Sequence, residues 1–441
     1  MIMPAQQAGP PGPTPSRPSL VRAIGRWALT AAVINSVIGS GVFGLPSQLT
    51  SLAGQWSPVT VLIAGVSIFA IVLCFAEVGS RFDGAGGPYL YTREAFGPAL
   101  GFQVGWLHIW TRVISCAAVL NVLSSYTAPL VPWAGTTAGR ATVMIGAMTL
   151  VTAVNLVGVR QAAWTVNAFT IAKLLPLVLV IVLGVAHFAP DVAAAQEAAE
   201  PKWTDAILLL VFGYGGFESA VVAGSESRDP KRDTAFALIT AMLAITVIYS
   251  LIQVAVIGVL PDAASSKAPI ADALAVLLGP VGLTLGSVAV IVSVYGWLTG
   301  FSLMSPRIVY SMAERGELPE LLARVHPGWR TPYVAIIVNS AIGLGLGLVG
   351  SFGQLATSGA IVRLGIYIAT CAALIRLRKR GDDAFVVPGG PVTAVIGIAF
   401  CIWLLSTRSF AQAWFLPIVV AAGGAVWLGM QRRKGSFGIA A

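Results

Sequence analysis

The sequence predicts an all-α polytopic membrane protein of about twelve transmembrane helices. Three observations predict it. Only 10% of the 441 residues are charged and 56% are hydrophobic, with a mean hydropathy of +0.84. A soluble domain carries roughly a quarter charged residues. Apolar segments of roughly 17–28 residues recur along the chain, each long enough to cross a hydrocarbon core about 30 Å thick. The basic residues are also segregated. With the N-terminus inside, 20 of the 27 Lys and Arg fall on that side, four on the other and three within spans. That asymmetry is the positive-inside distribution of a membrane protein. The net charge of +9 therefore reports orientation in a bilayer and not a nucleic-acid surface. Both termini are expected in the cytoplasm, which requires an even number of spans.

In chain order the spans fall at about 27–53, 57–80, 99–128, 141–159, 161–188, 203–226, 234–260, 281–313, 333–350, 355–377, 392–407 and 411–430. Residues 1–20, rich in Pro, Gly and Ser, read as a disordered cytoplasmic tail. No apolar run with a small-residue cleavage site follows them, so this is not a signal peptide. The outer loop 189–202 is acidic (Asp191, Glu197, Glu200), and Ala268–Ala275 reads as a short outer helix over a pore mouth. The inner loop 314–332 is charged. The four cysteines, Cys74, Cys116, Cys371 and Cys401, lie inside apolar spans without metal-ligand spacing or a disulfide pattern, and read as small apolar fillers. No metal site and no cofactor is expected.

Two spans are interrupted by glycine. The first contains Ile38-Gly39-Ser40-Gly41-Val42-Phe43-Gly44-Leu45-Pro46 and the second Phe212-Gly213-Tyr214-Gly215-Gly216-Phe217-Glu218. Backbone freed from a helix inside a bilayer is costly unless protein, water or ligand satisfies it. Two such breaks at corresponding positions of two halves mark a transporter's substrate site. Each break opens a block of five spans, 1–5 and 6–10. An odd block enters the membrane the opposite way the second time, which makes a 5+5 inverted repeat. Residues 21–380 form this core, with repeats at about 27–188 and 203–378. Residues 381–441 add helices 11 and 12 and a short cytoplasmic tail.

Chemistry follows from the breaks. Gly39 and Gly41 let the backbone leave helical geometry. The half-helix near Leu45-Pro46 would hold its proline in the first turn, where a missing N–H is harmless. Its freed N–H groups would face a substrate carboxylate. At the second break, the freed carbonyls of the preceding half-helix would accept from a substrate ammonium. Tyr214 and Phe217 would cover the ligand. The competing explanation is close packing of helices through small residues.

The chain closely resembles the amino acid–polyamine–organocation permeases. The motifs are Asn35–Pro46 in span 1, Phe217-Glu218-Ser219-Ala220 in span 6, Glu226–Arg232 after it, Ser305–Pro319 at the end of span 8 and Thr331-Pro332 before span 9. Their order and spacing match along residues 25–378. The resemblance implies a LeuT-type fold with alternating access, and amino acids or related amines as substrates. It places Ile38, Gly39, Ser40, Gly41, Phe212, Gly213, Tyr214, Gly215 and Phe217 at the substrate, with Trp297 as a gating residue. It also implies roles for two ionisable residues. Lys173 in span 5 matches the lysine that, in proton-coupled members, stands where sodium sits in sodium-coupled relatives. Glu218 matches a glutamate that joins proton coupling in similar arginine/agmatine antiporters. Lys173 could instead remain charged and satisfy span-1 carbonyls, and Glu218 could be a structural partner for an arginine.

Three further residues qualify the resemblance. Ionisable groups inside spans are functional candidates by default. Arg112 in span 3 falls where the antiporters keep small side chains to receive a substrate guanidinium. Like-charge repulsion in a low-dielectric site then argues against a cationic substrate. Arg112 would pair with Glu218 or receive an anionic side chain. Arg363 in span 10 would lie near the substrate or snorkel inward toward water. Asn35, four residues before the first break, would support the site. Of the other buried polar residues, Glu77 would stabilise the cytoplasmic side, and Trp27, Trp56 and Trp203 near span ends read as interface anchors.

The sequence thus points to a secondary transporter of neutral or acidic amino acids, driven by a proton gradient, in the cell membrane, as a monomer or homodimer. An exchanger of cationic amino acids or polyamines is the alternative. The chain has no phosphate-binding G-x-x-x-x-G-K-[ST] sequence, which argues against ATP-driven transport by this chain alone. Three scattered histidines, His108, His187 and His326, do not make an enzyme site. A sensor that binds without moving its ligand is a third class that sequence leaves open.

Overall fold

The computed structural model describes residues 25–82, 87–158, 163–198, 200–218, 221, 227, 229–378 and 385–436. The tail 1–20 and parts of two motifs, Ser219-Ala220 and Glu226 with Arg228, lie outside the described residues. Among the described residues, the regular elements are helical. In order they are α1 (Arg26–Val37), α2 (Ser40–Ala53), α3 (Ser57–Gly79), α4 (Gly87–Phe96), α5 (Pro98–Thr127), α6 (Thr137–Val157), α7 (Ala163–Ala186), α8 (Pro190–Ala194) and α9 (Trp203–Gly213). The second half holds α10 (Pro230–Val259), α11 (Pro269–Leu278), α12 (Pro280–Glu314), α13 (Tyr333–Val349), α14 (Phe352–Leu377), α15 (Gly390–Ser406), α16 (Phe410–Ala413) and α17 (Phe415–Ser436).

Among the described residues, seven stretches are long and apolar enough to cross a membrane: Ser40–Gly79, Pro98–Thr127, Thr137–Val157, Pro230–Val259, Pro280–Glu314, Phe352–Leu377 and Phe415–Arg433. Shorter apolar helices accompany them, Trp203–Gly213, Tyr333–Val349 and Gly390–Ser406 among others. This is a multi-pass, all-α membrane protein. Proline opens α3, α5, α10, α11 and α12 at positions where the missing N–H costs nothing. Ser351 and Gln354 form a capping box at the start of α14.

Helix packing has two dense parts, bridged by α14, which packs on α9 and α3 as well as α5, and by α7, which packs on both α10 and α12. α3 and α1 pack on α10, and α2 packs on α9. Separately, α5 packs on α12, α13 and α14, and α6 packs on α13. The site lies where these parts meet. α11 is tied to α5 and α2 near it. The Ile270 N–H donates to the Tyr126 hydroxyl at 3.2 Å, which donates to the Phe43 carbonyl of α2 at 2.8 Å. Below that chain, Phe352 packs edge-on to Phe212, with ring centroids 6.2 Å apart.

The fold also carries an element that the hydropathy pattern does not show. α4 is ten residues long and includes Arg93 and Glu94, so it has no apolar run to mark it. Arg93 Nη1 bridges to Glu317 Oε1 at 2.7 Å, tying α4 to the turn after α12. Glu77, fully buried at the end of α3, accepts from Arg81 at 3.1 Å and from the Val387 N–H at 2.8 Å, and pairs with Arg378. It joins α3 to the end of α14 and the approach to α15. Trp27 and Trp56, near helix ends, are 64% and 50% exposed.

Candidate substrate-binding site

Helix α1 ends at Val37. Ile38 leaves helical geometry with ψ 82°, Gly39 turns further with φ −116° and ψ −142°, and α2 restarts at Ser40. The carbonyls freed here find donors in the protein. Lys173 of α7, 7% exposed, donates from Nζ to the Asn35 carbonyl and to the Ile38 carbonyl, the latter at 2.9 Å. The Val37 carbonyl lies 3.2 Å from the Tyr249 hydroxyl of α10.

The second break begins after Gly213. Gly216 has φ +122°, and a Cβ there would meet the Ser36 carbonyl oxygen at 2.6 Å. Only glycine suits both conditions. The Gly216 carbonyl accepts from Ser36 Oγ at 3.0 Å, and the Gly213 carbonyl lies 3.1 Å from the same Tyr249 hydroxyl. Tyr249 therefore sits between the two breaks. Sequence reasoning missed it, because a tyrosine within a long apolar span carries no signal of its own. The breaks touch at a crossing of glycines: a Cβ on Gly41 would stand 2.9 Å from the Gly213 Cα.

A small cavity of about 30 Å³ opens at this crossing. Gly39, Ser40 and Gly41 line it from the first break, and Phe212, Gly213 and Gly215 from the second. Arg112 and Ser115 of α5, Trp297 of α12, Arg363 of α14 and Glu218 complete the wall. Ser36, Val37, Gly216 and Ser115 also line it and were not singled out by sequence. Ser115 lies about one turn after Arg112, so the helical period from Arg112 could have found it.

The charges are arranged in two ways. Arg363 Nε donates to Glu218 Oε1 at 2.9 Å, with both side chains nearly fully buried. Glu218 Oε2 also accepts the Gly216 N–H at 2.8 Å. Arg363 Nη1 reaches the Phe212 carbonyl at 3.3 Å, and its guanidinium fills the space beside Gly215, where a Cβ would lie 2.2 Å from Cζ. Arg363 is thus neither snorkelling nor isolated. Arg112 differs. Its guanidinium sits over the Trp297 ring, 5.6 Å from the centroid, and Trp297 stacks on Phe301. Among the described residues, no carboxylate lies within ion-pair distance of Arg112.

Several expected placements change. Ile38, Tyr214 and Phe217 do not line the cavity. Ile38 is fully buried and contributes only its carbonyl to Lys173. Tyr214 points into the core and donates to the Val61 carbonyl at 3.0 Å. Phe217 packs between Phe75 and Tyr367. The turn between Gly213 and Gly216 rotates these side chains away from the opening. Asn35 contributes its backbone carbonyl at the break. Pro46 lies inside α2 and not in its first turn, because the helix restarts six residues earlier than the proline suggested. The Phe212 carbonyl, expected to await an ammonium, already accepts from Arg363 and the Gly215 N–H.

Two helix breaks thus meet at a small cavity lined by charged side chains. Residues 24–430 match the amino acid permease family, and the chain belongs to that family. It is 30% identical to the serine/threonine exchanger SteT of Bacillus subtilis over 434 residues, covering 95% of this chain and 98% of that one. It is 26% identical to the branched-chain amino acid permease BcaP of the same organism, covering 89% of each. The arginine/agmatine antiporter of Chlamydia pneumoniae is 24% identical, with 95% of this chain and 92% of that one covered. The chain is a transporter and not an enzyme.

Proposed function

We propose that this protein is a proton-coupled secondary transporter of neutral or acidic amino acids in the cell membrane, with both termini in the cytoplasm. The chain would follow a twelve-helix, LeuT-type plan in which α1/α2 and the broken span beginning with α9 are the interrupted helices of two inverted repeats. The observation that carries this reading is the cavity at the Gly41–Gly213 crossing, lined by both breaks. The first-turn N–H groups of α2 receive the α-carboxylate, since a helix start leaves these donors unpaired and favours anions. Alternating access then follows from the two packing groups. α1, α2, α3, α9 and α10 rock against α5, α6, α12 and α13, and α11 with Phe352 forms the outer closure. Lys173 is the coupling residue. Its ammonium holds the two carbonyls freed by the first break, so loss of its proton would weaken that hold and shift the geometry of the carboxylate site.

A thermal-shift screen of the purified protein against all amino acids and common polyamines tests the substrate class. Neutral or acidic amino acids should raise the melting temperature. Arginine, agmatine and putrescine should not, because among the described residues no carboxylate lies within ion-pair distance of the Arg112 guanidinium on the cavity wall. Stabilisation by those cations alone would favour the cationic exchanger instead.

A further inference from the structure

We infer that Arg112 is a specificity residue and that the preferred substrate is an amino acid with a side-chain carboxylate. The inference rests on the proposed function and narrows it. Two guanidiniums and one carboxylate line the cavity. Glu218 is fully engaged, with Arg363 on one oxygen and the Gly216 N–H on the other. Arg363 is engaged equally, held by Glu218 and the Phe212 carbonyl and wedged beside Gly215. That wall of the cavity is internally neutral. The other wall is not. Arg112 and Trp297 face the cavity together, and the Trp297 indole adjoins Gly39, 3.3 Å from where a Cβ there would stand.

The start of α2 therefore offers donors to one carboxylate, and Arg112 on the adjoining wall offers a planar fork to a second. A neutral zwitterion occupies only the first position and leaves the half-buried Arg112 guanidinium without an ion-pair partner among the described residues. An acidic amino acid brings one further negative charge and neutralises the cavity. Trp297 holds the Arg112 guanidinium by a cation–π contact, which keeps the fork in place without consuming its donors.

The test uses the purified full-length protein and isothermal titration with aspartate, glutamate, serine, leucine and arginine. Aspartate or glutamate should bind at least about tenfold more tightly than serine or leucine. In Arg112→Gln the acidic ligand should lose on the order of 30-fold or more in affinity, while serine changes much less. Arg112→Lys keeps the charge but not the fork, and should fall between. If serine or leucine binds wild type more tightly than both acidic amino acids, the inference fails and the amino acid transporter reading stands. If no amino acid binds, that reading itself fails. Equal losses for serine and aspartate in Arg112→Gln would make Arg112 a structural residue and overturn its assignment. The wild-type ranking decides the substrate class even if the variants do not fold.

Discussion

Glu218→Ala is expected to destabilise the protein by about 3–5 kcal/mol, the usual cost of leaving one member of a buried ion pair alone. The partner left behind would be Arg363, whose guanidinium is buried against Phe212 and Gly215. Melting of the purified protein in detergent should show the loss directly. Arg363→Ala should be similarly damaging, since it strands Glu218. The double variant Glu218→Leu/Arg363→Met should be less damaged than the two single losses summed, because neither charge remains to be desolvated. Gly215→Ala should act in the same direction, as its Cβ would fall 2.2 Å from the Arg363 Cζ and displace the guanidinium from its partner. Additive losses in the double variant would show that the two residues do not stabilise each other.

Lys173→Ala should abolish uptake driven by a pH gradient in proteoliposomes while leaving measurable substrate binding. The side chain lies behind the first break and does not line the cavity, so its removal takes no lining side chain away. It does remove the donor to two carbonyls that have left helical pairing. A substitution that only perturbed packing would weaken binding and transport together. The proposed role separates them, with proton-driven uptake lost and binding retained. Unchanged proton-driven uptake in Lys173→Ala would remove Lys173 from the coupling mechanism.

The parts of the fold written in local sequence were legible. Long apolar runs gave the helices, usually within a few residues of their observed ends, and glycine spacing gave both breaks. Pro46 is a poor marker of the helix start: proline favours a first turn, but Gly39 decides where α2 restarts and leaves Pro46 inside it. Short amphipathic α4 was not legible, since ten residues with adjacent charges do not stand out in a hydropathy profile. The site was legible as a list but not as an arrangement. Nothing local to Glu218 indicates that its partner is Arg363, 145 residues further on, and not the equally plausible Arg112. Side-chain direction at Tyr214 and Phe217 was beyond reach for a related reason. An irregular turn has no fixed period, so the direction of each side chain depends on tertiary packing.

Uptake of labelled amino acids into proteoliposomes, with wild type beside Gly41→Val, tests the central claim most directly. The proposed carrier site is formed by the two breaks, which press together where Gly41 stands against Gly213. Wild type should show saturable uptake of at least one neutral or acidic amino acid, increased by an imposed pH gradient. Gly41→Val, whose side chain must push the crossing apart, should show little or none. No uptake of any amino acid by wild type, or full uptake by Gly41→Val, would contradict the account.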